Sequence, residues 1–265
     1  MRRRIGSRTH VKPTPALALA GCVAALTLAG CAAAHADPPA REAPPPAGPL
    51  TATQASGPPS AASAAEPISY PVGGDGRWSV ATTSGPVVGH AGTLLRYRVA
   101  VEDGILGISP DEFAAQVSTV LSDPRSWIGT GRWRLRLVGS ASGYNFTIYL
   151  ATPATRDKLC ANGYDRYTSC RVGDKVVLNV ARWVHGVPNY GADLEVYREY
   201  MVNHETGHRL GHGHELCPGP GRLAPVMQQQ TLGLHGCVAN AWPIADGHPY
   251  AGRSGQYDDP RPASG

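Results

Sequence analysis

Three features are missing from this 265-residue chain, and each absence narrows its class. The six cysteines include no C-x-x-C pair, which argues against a cysteine-based metal site. No segment recurs at a fixed period, so a repeat architecture is not expected. No apolar run makes a comfortable membrane span: "PALALAGCVAALTLAGC" (15–31) is short and quickly ended. Lysine and phenylalanine are scarce, while alanine, glycine, proline and arginine are abundant, a balance that fits a GC-rich coding sequence.

The charge surplus is also thinner than it looks. The formal net charge is +4, but residues 1–30 carry five basic and no acidic residues, so the remainder is about −1. The basic pI belongs largely to the N-terminus, and a nucleic-acid partner is not expected.

What is present at the N-terminus reads as an export signal. A basic stretch, "MRRRIGSRTHVK", precedes the apolar segment. "LAGC" occurs twice, ending at Cys22 and Cys31, and resembles the lipobox of bacterial lipoproteins. Cys22 leaves too short an apolar run before it, so residues 1–31 are expected to be signal and lipobox, with lipidation at Cys31. The rival is small-x-small cleavage after Ala36, at "AHA", which would release the protein freely. The expected location is extracellular, on the outer face of the cytoplasmic membrane, with the lipid as the only membrane contact.

Residues 32–67 are nearly all Ala, Pro, Ser, Gly and Thr. They hold too few large apolar groups to offset chain entropy and read as a linker. Residues 251–265 read as a flexible tail, which leaves 68–250 as the folded domain. Four cysteines remain there: Cys160, Cys170, Cys217 and Cys237. An even number in an exported chain suggests two disulfides, and of three possible pairings proximity favours Cys160–Cys170 and Cys217–Cys237.

The pattern within 68–250 predicts strands at 94–101, 133–139, 145–151 and 175–181. A helix is predicted from Ser109, with Pro110 at its first position and Glu112 completing a capping box. A second helix is predicted from about Asp193 through Leu210. The expected fold class is α+β (α/β-like), with one sheet and two main helices.

The second helix carries the chemistry. Leu194, Tyr197, Met201, His204 and His208 share one face, apolar at its start and histidine at its end. His204 and His208 stand one turn apart with Glu205 beside them, the H-E-x-x-H pattern in which two histidines hold zinc and the glutamate is a base. A helix continued to His212 would carry three imidazoles over about 11 Å, too far for one ion with bonds of about 2 Å. Gly211 allows the chain to turn back, so that His214 supplies the third ligand and His212 does not. Chance gives H-E-x-x-H in roughly one such chain in a hundred, and the string extended to His214 is rarer by about two orders of magnitude.

The string His204-Glu205-x-x-His208-x-x-Gly211-x-x-His214 resembles the metzincin clan of zinc peptidases. That resemblance implies a mostly parallel mixed sheet, an irregular C-terminal subdomain and a methionine turn beneath the zinc. Met227, in "APVMQQQ", is the residue that fits the turn. The residue two places later is Gln229, where some members of the clan have a tyrosine, and no cysteine-switch pro-segment is visible. "GRWSV", "DPRSW", "VMQQQTLG" and "GCVANAWP" are similar to an uncharacterised family of secreted actinobacterial domains over about 68–247.

The function so implied is an endopeptidase, expected to be monomeric. Zn2+ is held by His204, His208 and His214, and Glu205 assists attack of a zinc-activated water on a peptide or protein substrate. Two other readings stay open: a zinc amidase acting on envelope material, and a cell-surface binding lipoprotein whose zinc is catalytically silent. A structural site needs no base, so Glu205 argues against the last.

Overall fold

The computed structural model describes residues 66–161 and 163–262. The expected signal and lipobox, Cys31, and the linker up to residue 65 lie outside the described residues. No helix among the described residues is long and apolar enough to cross a membrane.

In chain order the elements are β1 (Trp78–Val80), β2 (Thr93–Glu102), α1 (Pro110–Ser122), a 3-10 turn (Trp127–Thr130), β3 (Trp133–Leu137) and β4 (Phe146–Ala151). There follow α2 (Pro153–Cys160), β5 (Cys170–Val172), β6 (Lys175–Asn179), α3 (Val180–His185), α4 (Leu194–Arg209), β7 (Ile244–Ala245) and β8 (His248–Pro249). Strands β1 to β6 form one sheet and β7–β8 a two-stranded ribbon. Strands β3, β2, β4 and β6 run parallel to their neighbours. Antiparallel β1 and β5 complete the sheet. Tyr97 faces Leu137 on one side and Phe146 on the other, so β3 and β4 flank β2, and β5 closes the far edge beyond β6.

Period-two alternation positions the core. Tyr97, Val99 and Val101 of β2, Leu135 and Leu137 of β3, Phe146, Ile148 and Leu150 of β4, and Val176 and Leu178 of β6 share a cluster with α1 and α4. From α1 come Phe113, Val117, Val120 and Leu121, the stripe its sequence predicts. Ser109 Oγ accepts from the Glu112 backbone N–H (3.2 Å), and Glu112 Oε2 accepts from the Ser109 N–H (2.7 Å). Such a cap stabilises a helix by about 1 kcal/mol. On the opposite face, Ala151, Cys160 and Val177 form a smaller cluster with Trp78 and Tyr149.

The two main helices form where expected, and among the described residues two short ones, α2 and α3, join them. The predicted strand 175–181 stops at Asn179, whose side chain accepts from the Ala181 N–H (3.0 Å) and caps α3. Val180 and Val184 gave that short helix a β-like composition. Helix α2 escaped detection because its buried side includes a charge. Arg156 is fully buried and paired with Asp157 (3.0 Å) and Asp165 (2.9 Å), so no apolar stripe marks the helix. The disulfides join Cys160 to Cys170 and Cys217 to Cys237, the pairing that proximity favours.

Composition also predicts a flexible tail from 251, yet residues 251–262 lie against the domain. Leu216 N donates to Arg253 O (2.9 Å) and Gly255 N to His214 O (3.0 Å). Gly252 N donates to Glu215 Oε2 (2.8 Å), and the Tyr257 ring stacks on His235 with centroids 3.4 Å apart. Backbone pairing of this kind needs no large apolar side chains, so composition does not reveal it.

Candidate metal centre

Helix α4 enters the core through Tyr197, Tyr200 and Met201 and emerges one turn later as histidine. Its end follows from Gly211, whose φ of 98° suits a residue without Cβ. Gly211 N donates to His208 O (3.2 Å) and His212 N to Gly207 O (3.0 Å), the paired bonds of a Schellman motif. The reversal returns His214 to the helix face.

His204, His208 and His214 converge, with their ligand nitrogens all within 4.8 Å of one another. His208 Nε2 lies 3.2 Å from His204 Nε2 and 3.1 Å from His214 Nε2. The opposite ring nitrogens decide what those distances mean. Nδ1 of His204 faces Val226 O (2.8 Å), Nδ1 of His208 faces His212 O (2.9 Å) and Nδ1 of His214 faces Gln256 Oε1 (3.0 Å). These oxygens only accept, so each Nδ1 carries the hydrogen and each Nε2 is a bare lone pair. Three lone pairs at this spacing repel unless a cation lies between them. Tetrahedral zinc with bonds of about 2.0–2.1 Å sets its nitrogens about 3.4 Å apart, so the donor set fits.

Burial tunes the same groups. It pushes His204 well below the ordinary imidazole range and His208 down to about 4, which keeps both neutral as ligands must be. Glu205 is buried, Oε2 lacks any hydrogen-bond partner among the described residues, and burial raises its pKa to about 8 despite Arg156 and Arg171. The sign follows by linkage. With metal removed, the fold keeps the Glu205 proton between about 4.5 and 8 while the unfolded chain does not. Its contribution is therefore full below about 4.5 and is lost as pH rises toward 8. Compared with Glu205→Gln, the chelated wild type is expected to lose denaturant resistance steadily over that window. A difference between the two that ignores pH would contradict the burial argument.

Met227 sits in a turn closed by Gln228 N donating to Pro225 O (2.9 Å) and is buried in the core. The main chain of this turn holds both ends of the ligand string. Val226 O accepts from His204, and Met227 O accepts from Glu215 N (3.1 Å), beside His214. The Met227 sulfur packs where a Cβ on Gly207 would otherwise stand. The Cys217–Cys237 bridge ties the chain leaving His214 to the segment after Met227.

The triad opens on a cleft of about 330 Å³. One wall is the β5 side, with Thr168, Ser169 and Arg171; the other is Gln229, Thr231 and Leu232, with the buried Glu205 and Tyr200 between them. Arg171 donates to His208 O (2.6 Å). Tyr200 donates to Gln228 O (2.9 Å), accepts from Gln230 N (2.9 Å) and sets its ring 5.2 Å from that of His204.

Several histidines stay out. His212 packs against Trp127 with ring centroids 4.3 Å apart and contributes only its carbonyl to His208. His235 pairs with Asp259 (2.8 Å), while His185 and His248 belong to no metal-competent group among the described residues. Tyr190 is buried, donating to Gln230 Oε1 (3.2 Å), and does not line the cleft. Sequence reading missed Tyr200, though its place one turn before His204 was the available signal. It also missed Asn203, which bonds Ser126 Oγ (2.7 Å) and Ala241 O (2.9 Å) and fixes the helix beside the first ligand.

Residues 65–246 match the family described as "Protein of unknown function (DUF3152)". The chain belongs to this family. No curated protein and no solved structure matches the chain. The DUF3152 match contains the triad, Glu205, Met227 and all four disulfide cysteines, and stops before Gln256.

Gln256 nevertheless holds His214, the third member of the triad. Partners of this kind typically change metal affinity 10–100-fold. Gln256→Ala is expected to weaken zinc about tenfold or more in competition with a chromophoric chelator. An unchanged affinity would remove Gln256 from the site.

Proposed function

We propose that this protein is a zinc-dependent endopeptidase of metzincin-like build. The observation that carries the reading is the convergence of three bare Nε2 atoms beside the unpartnered carboxylate oxygen of Glu205 on an open cleft. His204, His208 and His214 would hold the zinc. When bound, the ion supplies a Lewis acid that polarises a carbonyl and acidifies water. Glu205 takes the proton of the attacking water and delivers it to the leaving amine.

Strand β5 lies at the edge of the sheet and borders the cleft, so an extended peptide can add to it as a further strand. Thr231 and Leu232 on the opposite wall would meet its side chains. Two disulfides support an oxidising, extracellular location, with the lipid anchor at Cys31 as part of the proposal.

The test is cleavage of an unstructured protein. The zinc-loaded chain is expected to cut it, to stop when 1,10-phenanthroline strips the metal, and to resume when zinc is returned. Equal cleavage by the stripped protein would refute a metal-dependent site.

A further inference from the structure

A second polar cavity lies at the other sheet face. On β2 and β3 the residues that alternate away from the core include Arg96, Arg98, Arg134 and Arg136. The parallel register sets Arg96 directly beside Arg136. Like charges side by side on neighbouring strands destabilise a sheet. Among the described residues, none of these four arginines forms an ion pair with a carboxylate.

Three of the four guanidinium groups are nevertheless placed. Arg136 Nε donates to Gly85 O (3.2 Å) and Arg134 Nε to Gly92 O (3.2 Å). Arg98 Nε donates to Thr147 Oγ1 (2.9 Å), with its guanidinium carbon 3.8 Å from the Tyr144 ring centroid. These three forks are held by Nε, which leaves their terminal nitrogens free to face a ligand, while Arg96 is held beside them through its main chain, its N–H donating to Asn145 Oδ1 (2.7 Å).

Arg96 and Arg136 line a cavity of about 340 Å³ with Ser84, Ser142, Tyr144 and Asn145. Its acceptors are committed: Ser84 Oγ accepts from Gly139 N (2.9 Å), and Asn145 Oδ1 accepts from Arg96 N (2.7 Å). Those bonds leave the Ser84 hydroxyl hydrogen and the Asn145 amide hydrogens to donate. No carboxylate lines the cavity. The site therefore offers two positive forks and several neutral donors.

We propose that this cavity binds the phosphoryl group of a phosphate monoester. Two guanidinium groups, an amide and hydroxyls exceed what the two oxygens of a carboxylate can satisfy, whereas a phosphoryl group presents three free oxygens in a tetrahedral spread. The exposed Tyr144 beside the forks suits the organic part of an ester. The proposal does not depend on the peptidase reading, because none of these residues lines the metal cleft.

Glucose 6-phosphate, inorganic phosphate, acetate, and vesicles containing phosphatidylglycerol are the probes, titrated into the intact protein and followed by amide and side-chain NMR. Saturable shifts at Ser84, Arg96, Arg136 and Asn145 are expected with glucose 6-phosphate, with inorganic phosphate weaker and acetate at least tenfold weaker. Arg96→Ala and Arg136→Ala should each cut affinity at least tenfold, while Arg77→Ala, on another strand connection, should not. Without ligand, Arg136→Ala should melt no earlier than wild type, because it relieves the Arg96 repulsion; that result also shows the variant is folded. The inference is overturned by acetate binding as tightly as the ester, by equal losses in Arg77→Ala, or by binding to the vesicles alone.

Discussion

Glu205→Ala is expected to abolish hydrolysis while leaving zinc bound. The carboxylate lies next to the triad in sequence but is not one of its three converging ligands. Removing it therefore deletes the proton carrier without touching the donors. A positioned general base contributes typically 10²–10⁴-fold, and in the proposed mechanism the same group also protonates the leaving amine. Glu205→Gln should behave alike, since it keeps the shape and loses the basicity. Zinc content measured on both variants should match the wild type. Turnover at the wild-type rate in either variant would remove Glu205 from the mechanism, and loss of zinc would make it a ligand or scaffold instead.

The largest stability effect is expected at Gly207. It is buried in α4 between His204 and His208, and a methyl group there would overlap the Met227 sulfur and the Trp127 ring. Overpacking a close-packed interior costs about 1–3 kcal/mol. Trp127 has little room to yield, because its Nε1 donates to Asn203 O (2.8 Å) on the same helix. Gly207→Ala is expected to lower the melting temperature by roughly 3–10 °C in a chain of this size. It should also weaken zinc, because the displaced Met turn holds His204 through Val226. Met227→Ala should recover part of the loss when combined with Gly207→Ala, as contacting pairs do. A Gly207→Ala protein that melts with the wild type would show that the Met turn is not packed as described.

These two positions mark what a linear reading can and cannot reach. The triad was legible because one helix and one turn set its geometry: period 3.6 aligns His204 with His208, and the glycine at 211 reverses the chain. The capped helix α1 and the central strands were legible for the same local reason. Gly207 lies within the motif, but its need for no side chain comes from Met227, twenty residues on. Gln256 is further still from His214 and sits in a segment whose composition looks like a tail. Helix α2 hid because Arg156 is buried by ion pairing rather than by apolar packing. Contacts of long sequence separation leave no periodic trace, so they wait for the tertiary structure.

The most direct test exposes a diverse peptide mixture to the zinc-loaded protein and to Glu205→Ala side by side, with new ends read by mass spectrometry. New internal cleavage ends are expected with the wild type alone, and their flanking residues would report what the walls at β5 and at Thr231–Leu232 accept. No new ends from a wild type shown to carry one zinc per chain would contradict an endopeptidase at this site.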